Sequence, residues 1–300
     1  MRRLLFILIL LTGAALDAAA QQWDCSWIAH PAASDTTQVW FHRTYSSDGR
    51  PHEAFIDIAS TGYFTLYVNG RNVSTAALTP LRRHNDTTPR GMTFRVTRFM
   101  RSGENTIAVW YSPAVAHKDM RQVSLCYYGS DGDGKPFAHR SDASWLCHEA
   151  DMSLTASGGE TKDATFYNGR WNTAEFDLAC WLPAKETEGN SNESVTADRW
   201  QQNATRTARI MQPRFFDLTD DGVLYDFTPG FYGFTRVTLR DCKRGQRISI
   251  NGLQYTCNGE MDEQAFGRFV PGFCRKVLIS GDRNFKKEQI QNVEAIAIEP

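Results

Sequence analysis

Residues Gly222 to Gly245 read G-V-L-Y-D-F-T-P-G-F-Y-G-F-T-R-V-T-L-R-D-C-K-R-G. Within this tract Val237 and Leu239 stand two apart and share one face, the alternation of a half-buried strand. Ile248 and Ile250 repeat that spacing downstream, and Ile296 and Ile298 repeat it in a closing strand. The aromatic knot Phe227, Phe231, Tyr232 and Phe234 is expected to fill a core. Upstream the pattern recurs. Ala54, Ile56 and Ile58 fall on one face, as do Leu66 and Val68, Phe94 and Val96, and Ile107, Val109 and Tyr111. Asn69-Gly70 supplies the chemistry of a tight hairpin turn directly after Val68. Four short one-faced strands within about sixty residues read as an antiparallel sandwich. Helical period is hard to find anywhere, so the predicted class is all-β, with two β-sandwich or jelly-roll domains in tandem.

A polar stretch at 184–208 has few apolar residues and no alternation, and marks the boundary between the two units, 21–183 and 209–300. Residues 1–20 have the layout of a cleavable signal: Arg2 and Arg3, an apolar run from Leu4 to Leu11, then Ala18-Ala19-Ala20. The run is too short to span a bilayer, which predicts a periplasmic or secreted protein with no membrane partner. After cleavage 31 basic and 33 acidic residues remain, a balance that argues against nucleic acid. Seven cysteines permit up to three disulfides of undetermined pairing, and buried free thiols are an equal expectation. Without C-x-x-C or H-x-x-x-H pairs no metal site and no cofactor is predicted. Asp131-Gly132-Asp133-Gly134 reads as a hairpin turn, since a calcium loop requires ligands over about twelve residues and a terminal Glu.

The Gly222–Gly245 tract resembles the Y-D-F-G-x-x-x-x-G-[WF]-x-x-[VL]-x-[VL] segment of bacterial α-L-rhamnosidases. Further resemblance runs in order through Trp27-Ile28, Gly62 to Gly70, Ser102 to Val109, Ser141 to Trp145 and Gly159 to Ala164. It resumes at Met211 to Arg214 and continues to Asp262–Phe266. The resemblance implies an N-terminal jelly-roll of galactose-binding type followed by an accessory β-sandwich, in a carbohydrate setting. Thr228 stands where the family has Gly, and Asn251-Gly252-Leu253-Gln254 replaces its G-E-x-L. Only 55 residues follow Gly245, too few for the family's helical catalytic barrel, so no catalytic glutamate carries over.

Glycoside hydrolysis requires two carboxylates across a sugar, and Glu260, Asp262 and Glu263 form the one set worth testing. A solvated turn is the stronger expectation for them. Sugar binding requires an aromatic platform and a few hydrogen-bonding groups. Trp110 alternates with Ile107 and Val109, and is expected to point outward or into a loop-lined groove. Trp200, flanked by Arg199 and Gln201, is a second candidate, with an interdomain cap as its alternative role. The long loop 79–90 offers Arg82, Arg83, His84 and Asp86. Trp23, Trp27, Trp40, Trp145 and Trp181 are expected in the core.

The function expected is an exported, non-catalytic accessory that binds oligosaccharides during glycan degradation. One alternative is a glycoside hydrolase acting alone or with a partner chain. The other is a docking subunit for a separate glycosidase, marked by exposed apolar residues near Phe266, Phe269 and Phe273.

Overall fold

The computed structural model describes residues 26–82, 86–115, 122–166, 169–187, 196–197 and 205–299. The predicted signal, Trp23, Cys25, Arg83, His84 and Trp200 lie outside them. The described chain is almost entirely β, broken by two single turns of 3₁₀ helix at Thr97–Phe99 and Lys287–Gln289.

The alternation read in the N-terminal half is realised as burial. Ala54, Ile56 and Ile58 of the strand Glu53–Ser60 are completely buried, as are Ile107, Val109 and Tyr111 of Gly103–Ser112. Each large apolar side chain removed from water in this way contributes roughly 1.5–3 kcal/mol. Asn69 and Gly70 both adopt left-handed φ, 51° and 77°, the requirement of a two-residue turn between Tyr63–Val68 and Arg71–Asn72. The first sandwich sets a seven-stranded sheet, centred on Val123–Ser130, Glu53–Ser60 and Arg90–Arg95, over the strands Leu146–Leu154, Thr37–Ser47, Gly103–Ser112 and Tyr63–Val68. Phe41, Phe64, Leu66, Leu125 and Trp145 fill the space between.

The second layer of that sandwich continues beyond it. Glu160–Asp163 pairs antiparallel with Leu146–Leu154 on one side and parallel with Leu253–Thr256 on the other, so a single fifteen-stranded sheet runs through both units. Its second half is built on the 19-residue strand Gly222–Arg240, which pairs with Phe215–Thr219, Asp262–Phe266, Gly272–Gly281 and Ile290–Glu299. Val237, Leu239, Ile248, Ile250, Phe227 and Phe231 are buried as the alternation requires. Two details differ from the sequence reading. Tyr232 of the aromatic knot is 52% exposed, and in the last strand the buried alternation is Val293, Ala295 and Ala297, with Ile298 buried beside them and Ile296 half-buried.

The polar stretch 184–208 is tied down where it is described. Lys185–Thr187 pairs with Trp27–Ala29, Thr196–Ala197 pairs with Arg90–Arg95, and Arg206–Met211 already belongs to the second unit's sheet. Asp131–Gly134 is the hairpin turn expected: Gly134 N–H donates to the Asp131 carbonyl at 3.1 Å. The Asp131 Oδ1 accepts from the N–H groups of Asp133 and Lys135. The six described cysteines are free thiols, four of them buried.

Glu160 sits at the joint of the sheet, 3% exposed. Its carboxylate accepts from Gln38 Nε2 at 3.0 Å, from the Arg268 N–H at 2.7 Å and from the Phe269 N–H at 3.0 Å. Burial raises its pKa, and these donors work in the opposite direction. Glu160→Ala leaves three buried donors without an acceptor, at about 1–3 kcal/mol each before the relief of removing a buried charge. A net loss of roughly 3 kcal/mol in denaturant unfolding is expected; an unchanged midpoint would remove Glu160 from its role as a joint.

Candidate functional site: an aromatic cleft between the two units

The outer face of the shared sheet carries large aromatics because the second unit covers it. Trp40 and Trp110 are opposite one another across the Thr37–Ser47 and Gly103–Ser112 strands, on the face away from Phe41 and Val109. Their rings meet edge to face at 5.7 Å. Trp171 stacks on Trp40 at 4.9 Å with 16° between planes, and Trp181 and Phe166 lie nearly parallel to it at 6.4 Å. Aromatic pairs at these separations are worth about 0.5–1.5 kcal/mol beyond their buried area, which fixes the segment 169–181 against the sheet.

Between this stack and the strand Asp262–Phe266 lies a cleft of about 340 Å³. Trp40, Trp110, Trp171 and Phe166 form its aromatic wall; Asp151, Lys162, Asn258, Glu260 and Gln264 supply polar groups. Phe166 is 40% exposed and is the ring most open to a ligand. The cleft wall contains unmatched polarity. Trp40 Nε1 and Asp151 Oδ1 are buried without a hydrogen-bond partner. The other Asp151 oxygen is 4.0 Å from Lys162 Nζ. Burial raises the Asp151 pKa, against the opposing pull of Lys162 and Arg268.

Trp110 therefore does not point into solvent. It is 8% exposed, donates from Nε1 to Gln38 Oε1 at 2.8 Å, and carries the Arg268 guanidinium 4.4 Å from its ring. Alternation gave its face correctly, but nothing local revealed that another part of the chain covers that face. Its part in the cleft is a wall rather than a free platform.

The three acidic candidates share this cleft with Trp110 but differ in state. Glu263 is buried and accepts from Tyr255 Oη, Asn258 N–H and Gly259 N–H at 3.0, 2.8 and 3.1 Å, which makes it the organiser of a turn. Asp262 is paired with Arg240 at 2.7 Å, and that pairing lowers its pKa. Glu260 is exposed. Among the described residues no cluster of His, Cys, Asp or Glu is placed to hold a metal ion.

The loop candidates lie elsewhere. Arg82 donates to the carbonyls of Gly62, Asp86 and Thr88 at 3.0, 3.2 and 2.7 Å, and also to that of Ser60. Its burial lowers its pKa to about 10. Asp86 pairs with Arg90 at 2.8 Å; burial would raise its pKa, but bonds from Arg90 and Thr88 hold it at about 2. Both side chains fasten the loop to the sandwich. Phe166, Trp171 and Asp151 were missed because their place around Trp40 is set by packing between segments distant in sequence, which local alternation does not show.

The family model of the alpha-L-rhamnosidase N-terminal domain matches residues 49–207, more than half of the chain. The chain belongs to this family. An alpha-L-rhamnosidase of Formosa agariphila is 23% identical over 231 residues, 70% of this chain and 24% of the relative. The alpha-L-rhamnosidase structure from Dictyoglumus thermophilum superposes with a TM-score of 0.78 at 19% identity, covering 93% of this chain and 36% of that one. The Streptomyces avermitilis alpha-L-rhamnosidase, solved with L-rhamnose, gives 0.75 at 18% identity, covering 91% of this chain and 30% of that enzyme. The rhamnosidase-family chain thus spans about a quarter of that curated relative and about a third of these solved enzymes.

The raised pKa of Asp151 carries a sign. Between its unfolded and its folded value the native state holds the proton more tightly, so stability falls as pH rises through that window. Asp151→Asn is expected to flatten this decline when unfolding is followed from pH 4 to 7. A parallel pH profile in variant and parent would show that Asp151 does not contribute.

Proposed function

We propose that this chain is an exported carbohydrate-binding accessory of glycan degradation, and that the cleft between its two units is the binding site. The observation that carries this reading is the combination in one cleft of a stacked aromatic wall, open at Phe166, with the polar side chains of Asn258, Glu260 and Gln264. Aromatic faces receive the C–H face of a sugar ring, while amides and carboxylates take its hydroxyls. Phe166 provides the open ring, and Asn258, Glu260 and Gln264 the rim. Membership of a rhamnosidase-associated family, and the rhamnose held by the Streptomyces avermitilis relative, make rhamnose-containing oligosaccharides the first ligands to try.

Binding is favoured over hydrolysis by the state of the carboxylates. Of the acidic set, Glu263 is committed to a turn and Asp262 to Arg240, so the set does not offer the pair of free carboxylates that acid and base chemistry requires. Titration calorimetry with rhamnose-rich pectic fragments is expected to give binding that Phe166→Ala weakens about tenfold or more, with no sugar released. Binding unaffected by Phe166→Ala and by Gln264→Ala would move the site elsewhere. Released sugar would make the chain an enzyme.

A second reading is supported by the surface of the second unit. Ile210, Phe215, Phe216, Leu218 and Phe273 are each more than half exposed, whereas Phe269 is buried and Phe266 half-buried. Apolar exposure on this scale marks an interaction surface. Its occupant in this reading is the barrel of a separate glycosidase, and loss of co-elution with such a barrel on Phe215→Ser and Phe216→Ser is the expected sign.

A further inference from the structure

The first sandwich has an opening at the far end of the strand Thr37–Ser47. Tyr45 stands five residues beyond Trp40, about 17 Å along an extended strand, and on the opposite face. There the loop 46–49 and the turn 131–134 enclose a cavity of about 350 Å³. Its floor is aromatic. His139 stacks on Tyr45 with ring centroids 4.7 Å apart, Tyr127 meets Tyr45 at 5.4 Å, and Phe137 meets Tyr127 at 4.9 Å. Burial followed by the nearby Arg43 charge lowers the His139 pKa, so its ring is neutral at neutral pH.

The rim is acidic. Asp48 and Asp133 are exposed there, and among the described residues neither carboxylate has an ion-pair or hydrogen-bond partner, while Asp131 is committed through Oδ1 to its turn. Among the described residues no Lys or Arg lines the cavity, and the cation beside its floor is the Arg43 guanidinium, 5.8 Å from the Tyr45 ring centroid. The carboxylates do not converge as a cation site would require, since no metal-holding cluster occurs among the described residues. A neutral aromatic floor beneath free hydroxyl acceptors matches the two surfaces of a pyranose ring, and the negative rim repels uronate and sulfate groups.

We propose that this opening is a second saccharide site, selective for neutral sugar units, on the side of the shared sheet opposite the cleft. It does not depend on the cleft being a binding site. The arrangement gives one chain two contacts with a branched or extended glycan, so that linkage rather than either single affinity sets retention.

The test uses the full chain with selectively labelled histidine and tyrosine rings, titrated by NMR with neutral tetrasaccharides in gluco, manno and galacto configuration and with a trigalacturonate. Saturable shifts of the His139 and Tyr45 rings are expected with a neutral probe and not with the uronate. The double substitution Asp48→Ala and Asp133→Ala is expected to weaken that probe at least fivefold without changing the melting temperature, because both side chains are exposed. The shifts are expected to persist in Phe166→Ala, which separates this site from the cleft. No ring shift with any neutral probe at millimolar concentration, an equal response to the uronate, or indifference to the double substitution would each overturn the proposal.

Discussion

The whole arrangement depends on one buried carboxylate. Glu160 gathers the side chain of Gln38 from the first sandwich and the backbone N–H groups of Arg268 and Phe269 from the second. A charge so placed is costly unless its oxygens are hydrogen-bonded, and three donors reach the two oxygens of Glu160. Gln38 in turn accepts from Trp110, and Arg268 lies over the Trp110 ring while donating to Tyr67 Oη at 2.6 Å and Thr65 Oγ1 at 3.1 Å. The parallel pairing of Glu160–Asp163 with Leu253–Thr256 begins at this same residue. Backbone pairing and side-chain network therefore fix the same relative position of the two units.

That position creates the cleft. A sheet with both faces covered has two cores, and here Ile107, Val109 and Tyr111 serve one while Ala108 and Trp110 serve the other. Trp40, Trp171 and Trp181 widen the second core at its edge, where the covering layer stops short and Phe166 remains open. Polar groups brought in by the strand Asp262–Phe266 then stand opposite rings brought in by the first sandwich. Neither unit contains the cleft alone.

Alternation made the strands and their faces legible in the sequence, from Ala54, Ile56 and Ile58 to Val237 and Leu239, because a two-residue period is a local property. The hairpin at Asn69-Gly70 was legible for the same reason. Trp110 shows where local reading stops: its face was given by its neighbours in sequence, but the cover on that face comes from residues near 268, across the whole chain. Arg82 shows a second boundary. A loop rich in charge reads as a binding loop, yet whether its guanidinium is free depends on the carbonyls of Ser60 and Gly62 folding back beneath it. Glu260, Asp262 and Glu263 are adjacent in sequence and were read as one set, while their partners, Arg240 and the Tyr255–Gly259 turn, divide them into three different chemical states.

The same division bears on the binding role proposed for the cleft. A general acid requires a carboxyl whose environment keeps its proton, and a base or nucleophile requires a second carboxylate held across the sugar at a defined spacing. Among the cleft's carboxyls, burial raises the pKa of Asp151, which lies against Lys162, whereas the paired Asp262 is shifted down and Glu263 is consumed by backbone donors. Ionisable groups are thus being spent on holding turns and strand ends, and aromatic surface is what remains for a ligand. Sugar binding needs only that surface and a few hydrogen-bonding atoms in fixed places, and a rigid joint between two sandwiches supplies both.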